Sequence, residues 1–276
     1  MTKAAVIGWP IAHSRSPLIH GYWLEQYGID GSYTKIAVEP DAVTEFLGGL
    51  AAQGLAGCNV TLPHKEAAFR FAEEKHPSAV AVGAANTLWL ENGRLHAANT
   101  DTYGFMQHLA VSAPGWRTRD RPVMVLGAGG AARAIVYGFL EAGITEVRVV
   151  NRTLARAEEI AAHFGPKVRA VALGDGARLA ADCGVLVNTT SLGMVKGQPL
   201  DFDVGLLMPS AVVADIVYVP LETDLLARAR LRGLATVDGL GMLLHQAVPG
   251  FARWFGVKPD VTDALRAVIV KDIEGH

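Results

Sequence analysis

A glycine-rich turn, Gly127-Ala128-Gly129-Gly130, stands between an apolar segment, Val123–Leu126, and a segment with helical spacing that begins at Ala131. In a strand–turn–helix unit, the first glycine permits the tight turn and the second lets the backbone approach a pyrophosphate. A small third residue, here Ala132, lets helix and strand pack closely. The helix N-terminus adds N–H groups and the positive end of the helix dipole. The turn therefore predicts a dinucleotide site; the alternative is a glycine turn that is required only for packing.

The end of the second strand of this unit indicates which dinucleotide is bound. NAD-binding proteins usually carry Asp or Glu there, to bond the ribose 2′-hydroxyl. Here the strand ends in Asn151-Arg152-Thr153, with Arg156 in the next helix. Guanidinium and hydroxyl groups would hold a 2′-phosphate through charge-assisted hydrogen bonds, so the sequence favours NADP(H). The alternative is two solvent-facing arginines at a helix start, where cations are mildly unfavourable.

Nicotinamide chemistry on a carbonyl or an alcohol also needs a group that gives or takes a proton. Three polar clusters could supply such groups: His13 to Pro17, Asn59 to Lys65, and Ala85 to Thr87 with Asn99 to Gly104. Ser14 and Ser16 could bond a substrate carboxylate, or they could cap a helix. Lys65 could be a general acid or an ordinary solvated lysine. Asp101 could be a second acid/base or orienting group, or the N-cap of a helix over 102–111.

The composition restricts the class of protein that carries these groups. The 276 residues are half apolar with a net charge of −2 and no basic run, which argues against a nucleic-acid or anionic-membrane partner. No apolar run has the length of a signal-peptide core or a membrane span, so we expect a cytoplasmic protein. Cys58 and Cys183 are predicted to be reduced, buried thiols. The nine histidines show no paired spacing, so no protein-held metal is expected.

The elements that would position these residues alternate between strand and helix, which predicts an α/β fold with mostly parallel sheets. In the first third of the chain we predict strands at Ala4–Gly8, Ser32–Val38 and Leu55–Val60, and helices at Pro17–Tyr27 and Asp41–Ala52. Asn92-Gly93 predicts a hairpin between Thr87–Leu90 and Arg94–Ala98. The polar, turn-rich segment from Ser112 to Pro122 predicts a loop near a domain boundary.

Beyond that loop, six predicted strands alternate with helical crossovers, as in a Rossmann-type doubly wound domain. They are Val123–Leu126, Glu146–Val150, Val168–Val171, Val185–Asn188, Val212–Ile216 and Leu234–Val237. The last helices, Leu240–Phe255 and Val261–Ile273, have no strands of their own to cover, so we expect them to return to the first domain. The predicted domains are 1–102 with 239–276 for substrate and catalysis, and 103–238 for NADP.

As an ordered set, these motifs resemble the shikimate dehydrogenase family over nearly the full length. The resemblance rests on Ser14 to Pro17, Asn59 to Lys65, Asn86-Thr87, Asn99 to Gly104, Gly127 to Ala131, Asn151 to Thr153, Asn188 to Thr190, Tyr218-Val219-Pro220 with Thr223, and Gly239 to Leu243 before Gln246. It implies the reversible, NADPH-dependent reduction of 3-dehydroshikimate to shikimate, in the pathway to aromatic amino acids.

The resemblance also implies a role for each site residue. Lys65 and Asp101 would be the catalytic pair. The substrate carboxylate would be held by Ser14, Ser16 and Tyr218, and its hydroxyls by Thr61, Asn86 and Gln246. The cofactor would contact Gly127, Ala128, Gly129, Gly130, Ala131 and Thr189, with its 2′-phosphate on Asn151, Arg152, Thr153 and Arg156 and its nicotinamide beside Met242.

Two other functions remain open at this point. A quinate/shikimate dehydrogenase would share the fold, because quinate differs mainly by a hydroxyl at the ring carbon that bears the carboxylate. A non-catalytic nucleotide-sensing module on the same scaffold would not require Lys65 or Asp101. The sequence does not choose between a monomer and a homodimer.

Overall fold

The computed structural model describes residues 1–117, 121–194, 198 and 200–275. The chain divides into two compact units, Met1–Asp101 with Leu244–His276, and Thr102–Leu243. The loop predicted for Ser112 to Pro122 includes residues 118–120, which lie outside the described residues. None of the described helices is long and apolar enough to span a membrane.

The first unit is built on a six-stranded sheet of order β2-β1-β3-β5-β6-β4. Its elements, in chain order, are β1 Thr2–Gly8, α1 Ser16–Gln26, β2 Gly31–Ala37, α2 Val43–Gly48, β3 Leu55–Val60, α3 Lys65–Phe71, β4 Glu74–Lys75, α4 Pro77–Val82, β5 Thr87–Glu91 and β6 Arg94–Ala98. The sequence interpretation did not include α3, β4 and α4. The helix predicted over Asp41–Ala52 was too long: a 3₁₀ turn over Pro40–Ala42 precedes α2, and α2 ends at Gly48. Two consecutive glycines, Gly48 and Gly49, end it because glycine is a poor helix former.

One strand of this sheet departs from the parallel arrangement. Strands β1, β2 and β3 are mutually parallel, whereas β5 runs antiparallel to both β3 and β6. The reversal follows from the predicted hairpin, in which Asn92 and Gly93 have φ angles of 53° and 76°. Two consecutive positive φ values are the requirement of a type I′ turn, so the Asn-Gly prediction is confirmed.

The second unit contains a six-stranded sheet in which all neighbouring pairs are parallel. Its elements are α5 Asp101–Ser112 (from Thr102 on), β7 Val123–Leu126, α6 Gly130–Glu141, β8 Val147–Asn151, α7 Leu154–Phe164, β9 Val168–Ala172, α8 Leu173–Gly176, β10 Val185–Asn188, β11 Val212–Asp215, α9 Asp224–Leu231 and β12 Ala235–Val237. The strands are buried on both faces: Val125 faces one apolar cluster, and Met124 and Leu126 face the other. A continuous apolar strand is typical of such a sheet.

The strand order of this sheet, β12-β11-β10-β7-β8-β9, defines where a ligand can bind. The chain leaves β7 toward β8 on one side and later returns to place β10 on the other side. Ligands of open α/β sheets bind at the carboxyl ends of the two strands where the order reverses. The segments at that point begin at Gly127, after β7, and at Thr189, after β10. The prediction of a Rossmann-type doubly wound fold is confirmed.

The chain ends in two helices, α10 Gly239–Phe255 and α11 Asp263–Glu274. From Leu244 onward they belong to the first unit. Trp254 of α10 donates from its indole Nε1 to the carbonyl of Leu88 at 2.9 Å. A side chain at Gly57 is excluded, since its Cβ would lie 2.1 Å from the Leu88 carbonyl oxygen and 2.2 Å from Trp254 Nε1. This close approach fixes the helix against the first sheet.

Candidate active site

Lys65 and Asp101, 36 residues apart in sequence, meet in the first unit. Lys65 is the first residue of α3, and Asp101 is the first residue of α5. The Nζ atom of Lys65 donates to Oδ2 of Asp101 at 2.8 Å. The side chains are 28% and 17% exposed, so the pair is largely buried but still accessible. An ammonium group held by a carboxylate and accessible to a ligand has the geometry of a proton donor.

Asn86 holds the other oxygen of the Asp101 carboxylate. Its Nδ2 donates to Asp101 Oδ1 at 2.8 Å. Its Oδ1 accepts from the backbone N–H of Thr100 at 2.8 Å and from the hydroxyls of Thr87 and Thr100, both at 3.0 Å. Because an N–H group can only donate, the oxygen of Asn86 must face Thr100 and the amide nitrogen must face Asp101. The orientation of Asp101 is therefore fixed from two sides.

A series of hydrogen bonds between buried polar residues holds Asn86 in place. Asn59 donates from Nδ2 to the carbonyl of Asn86 and to the hydroxyl of Thr87, both at 3.1 Å. The Tyr33 hydroxyl donates to Oδ1 of Asn59 at 2.6 Å. Gln246 of α10 approaches the same region, with its Oε1 3.4 Å from the Thr100 hydroxyl. The sequence interpretation assigned no role to Tyr33 or Thr100, and the only available signal was a polar Asn59 inside an apolar strand.

Ser14 and Thr61 lie in the loops that follow β1 and β3, and Ser16 follows the first of these loops. Ser16 begins α1, and its backbone N–H donates to the hydroxyl of Ser14 at 3.3 Å. Thr61 donates its N–H to the carbonyl of Ile7 at 2.9 Å. The methyl group of Thr61 would lie 2.5 Å from a Cβ at Gly8, so the two loops are in close contact. Both loops leave the carboxyl ends of neighbouring parallel strands, which places these hydroxyls at one edge of the first sheet.

The glycine turn of the second unit has the geometry that a pyrophosphate requires. Gly127 has a φ of +104°, and a Cβ there would lie 2.8 Å from the hydroxyl oxygen of Thr189. A Cβ at Gly129 or Gly130 would meet nothing within 4 Å, so open space lies in front of the N-terminus of α6. Ala132 is fully buried. A helix N-terminus with exposed N–H groups and free space before it suits a phosphate.

At the end of β8 the structure places three polar side chains at the surface. Arg152, Thr153 and Arg156 are exposed, and Asn151 donates from Nδ2 to the carbonyl of Thr153 at 2.8 Å. Among the described residues, neither arginine forms an ion pair. Two uncompensated guanidinium groups beside a dinucleotide turn fit a 2′-phosphate, which carries the opposite charge.

The other residues predicted for the site, Thr189, Met242, Ala128 and Tyr218, all lie in the second unit. Thr189 donates its hydroxyl to the carbonyl of Leu126 at 2.7 Å, so its hydroxyl proton is used within the protein. Met242 and Ala128 are half-buried and pack against the same apolar cluster of the second unit. Tyr218 is half-buried and follows β11 in the second unit, whereas Ser14 and Ser16 belong to the first.

Comparison with known proteins shows the family. Three family models match: "Shikimate dehydrogenase substrate binding domain" over residues 6–88, "Shikimate / quinate 5-dehydrogenase" over residues 109–194, and "Shikimate 5'-dehydrogenase C-terminal domain" over residues 239–269. The chain is 57% identical over 273 residues to the Shikimate dehydrogenase (NADP(+)) of Azorhizobium caulinodans, with 99% of this chain and 97% of the relative covered. The chain belongs to the shikimate dehydrogenase family.

Solved structures of family members agree with this assignment. The shikimate 5-dehydrogenase of Thermus thermophilus, in complex with NADP(H) and shikimate, superposes with a TM-score of 0.86 at 36% identity, covering 100% of this chain and 99% of the other. The quinate dehydrogenase of Corynebacterium glutamicum, in complex with NAD, superposes with a TM-score of 0.89 at 29% identity, covering 98% and 99%. The predicted resemblance to shikimate dehydrogenases is confirmed.

The second unit also contains a buried carboxylate, Asp215, to which the sequence interpretation assigned no role. Asp215, the last residue of β11, is 2% exposed. It accepts hydrogen bonds from Asn188 Nδ2 at 2.9 Å, from the Val217 N–H at 3.0 Å and from the Thr223 hydroxyl at 2.8 Å. Burial raises the pKa of Asp215 to about 6, and these three hydrogen bonds oppose the rise. All three donors are uncharged.

Asp215 should therefore give the protein an unusual dependence of stability on pH. The folded state binds this proton more tightly than the unfolded chain, in which the pKa of aspartate is about 3.9. The stabilisation by that proton is full below about pH 4 and is lost as the pH rises through about 6. Relative to Asp215→Asn, the free energy of unfolding of the natural protein should fall by up to about 3 kcal/mol between pH 4 and pH 7.5.

Urea unfolding of both proteins at the two pH values measures this difference. Glu158→Gln, which removes an exposed carboxylate from α7, is the matched control and should show no such change. If the free energies of unfolding of the natural protein and of Asp215→Asn differ by the same amount at both pH values, Asp215 does not titrate in this range.

Proposed function

We propose that the protein is an NADP-dependent oxidoreductase that interconverts 3-dehydroshikimate and shikimate. The observation that carries the proposal is the contact of 2.8 Å between Lys65 Nζ and Asp101 Oδ2, held by Asn86, in a member of this family. The relatives that are 57% identical over nearly the whole chain are named Shikimate dehydrogenase (NADP(+)).

The pair accounts for the proton that the reaction moves. A dinucleotide bound with its pyrophosphate at the glycine turn would supply the hydride from its nicotinamide in one direction and accept it in the other. During reduction the carbonyl oxygen gains a proton, which Lys65 donates from Nζ. Asp101 keeps the ammonium group in place and accepts a hydrogen bond from the substrate hydroxyl. Asn86 donates one hydrogen of its side-chain amide to Asp101, and the second hydrogen can be donated to a substrate oxygen.

The remaining polar residues would bind and orient the substrate. In the first unit, Ser14 and Ser16 supply hydroxyls to its carboxylate, and Thr61 and Gln246 bond its ring hydroxyls. Tyr218, as the resemblance to the family implies, would also bind the substrate carboxylate. A buried polar site of this kind rejects analogues that lack a matching hydroxyl, because its own groups are then left unpaired.

The cofactor proposal rests on the two ends of the dinucleotide site. Gly127, Ala128, Gly129, Gly130 and Ala131 would enclose the pyrophosphate, with Thr189 behind the turn and Met242 beside the nicotinamide. Arg152 and Arg156, with Asn151 and Thr153, would hold the 2′-phosphate, and no carboxylate ends β8 to repel it.

Quinate oxidation is the second candidate function. It is favoured by the likeness to the quinate dehydrogenase of Corynebacterium glutamicum, which was solved in complex with NAD. The arginines after β8 favour NADP, and hence the biosynthetic reaction, over that alternative. The Lys65–Asp101 contact argues against a non-catalytic sensing module. We place the enzyme in the cytoplasm, in the pathway to aromatic amino acids, as a monomer or homodimer.

Cofactor absorbance in four combinations tests the proposal: shikimate or quinate, each with NADP⁺ or NAD⁺. We expect the largest kcat/KM with shikimate and NADP⁺. A larger value with quinate would identify a quinate dehydrogenase. Absence of turnover in all four would contradict an enzymatic function.

A further inference from the structure

The turn after β10 in the second unit is shaped by one buried side chain, Asn188. Its Oδ1 accepts from the N–H of Thr190 at 3.0 Å and from the Thr190 hydroxyl at 2.7 Å. Its Nδ2 donates to the carbonyl of Leu192 at 3.2 Å and to Asp215 Oδ1. Thr189, the first residue of this turn, lies directly against Gly127. The position of the turn therefore limits where the glycine turn can lie.

The segment after β11 is tied to the same carboxylate. Asp215 Oδ1 also accepts from the N–H of Val217, and the N–H of Ile216 donates to the carbonyl of Asn188 at 3.1 Å. Gly239, at the start of α10, packs on this segment so closely that a Cβ would lie 2.3 Å from the Ile216 carbonyl oxygen. Asp215 thus fixes the segment on which the beginning of α10, including Met242, is built.

The third contact of Asp215 is with Thr223, the N-cap of α9. The Thr223 hydroxyl donates to Oδ2 and accepts from the N–H of Leu226 at 3.4 Å. A buried carboxylate that is bonded only by uncharged groups is costly, and an apolar side chain of similar volume would be cheaper if packing alone were required. The presence of a carboxylate at this position therefore needs another reason, and the fixed geometry of the turn after β10 and the segment after β11 supplies one.

We propose that Asp215 is a positioning residue of the cofactor site, which holds the turn after β10 and the segment after β11 in one fixed arrangement. It acts through Asn188 and Val217 and does not itself touch the cofactor. The inference rests on the proposed binding of NADP at Gly127–Ala131. It adds to that proposal a residue that affects the affinity for the dinucleotide without contacting it.

The test is the Kd for NADPH alone, from a fluorescence titration without substrate, at a temperature where every variant is folded. Asp215→Leu should raise this Kd by roughly tenfold or more, since a misplaced loop weakens every contact it makes. Asp215→Asn should stay within about twofold of the natural protein, because an amide oxygen still accepts from Asn188 and Val217, and Thr223 can accept from the amide nitrogen.

Val213→Ala is the matched control, since Val213 is fully buried in the same strand and its side chain has no group that could hydrogen-bond to either turn. It should lower the melting temperature and leave the Kd unchanged.

An equal Kd for Asp215→Leu and Val213→Ala would overturn the inference while the natural protein still binds NADPH. If Asp215→Leu does not fold, Asn188→Ala cuts the same link, and an unchanged Kd in that variant would overturn the inference equally. A natural protein that does not bind NADPH would overturn the proposed function as well.

Discussion

Replacing Lys65 with alanine will lower kcat for shikimate oxidation by roughly 10²-fold or more, the usual effect of removing a general acid or base. The change removes the partly exposed ammonium group that donates to Asp101 Oδ2 at 2.8 Å. It leaves Asp101 bonded to Asn86, so the carboxylate should keep its place. Steady-state kinetics with saturating shikimate and NADP⁺ measure the effect.

Two comparisons separate the loss of a proton donor from a general loss of structure. Lys75→Ala removes an exposed lysine from β4 of the same unit, and its kcat should not change. Binding of NADPH, measured without substrate, should be the same in Lys65→Ala and in the natural protein. If kcat were unaffected by Lys65→Ala and only the KM for shikimate rose, Lys65 would bind substrate without transferring a proton.

The parts of this fold that could be predicted from the sequence are those that short segments determine. The strand Val123–Leu126 and the glycine turn after it are adjacent in sequence, so their relation is visible there. The hairpin at Asn92-Gly93 is equally local, because only two residues set its turn type. The helices α3 and α4, with seven and six residues, are too short for their apolar residues to show a helical period.

The supporting hydrogen bonds of the site could not be predicted, because they join distant residues. Tyr33 bonds Asn59 across 26 positions, and Asn86 bonds Asp101 across 15. Spacing within one segment says nothing about such pairs. Asp215 shows the same limitation, since it ends an apolar strand and its partner Asn188 is 27 residues away. Family resemblance identified Lys65 and Asp101 as a pair, whereas the residues alone left each of them with an alternative role.

The preference for NADP(H) should depend on Arg152 and Arg156. Both guanidinium groups are exposed beside the end of β8, and neither is used in an ion pair within the described part of the chain. Hydrogen bonds to a charged group contribute about 1.5–3 kcal/mol each, and about 1.4 kcal/mol corresponds to a factor of ten in affinity. The double variant Arg152→Ala/Arg156→Ala should therefore raise the KM for NADPH by roughly 10²-fold.

NADH provides the internal comparison, because it has the same pyrophosphate and nicotinamide but lacks the 2′-phosphate. Its KM should change by no more than about twofold in the double variant, since the glycine turn and the N-terminus of α6 are unaltered. Arg230→Ala removes an exposed arginine from α9, where it pairs with Glu222, and should leave both KM values unchanged. An equal rise in KM for NADPH and NADH would mean that the arginines contact a part of the dinucleotide that both cofactors share, and not the 2′-phosphate. Selectivity would then have to come from residues other than those at the end of β8.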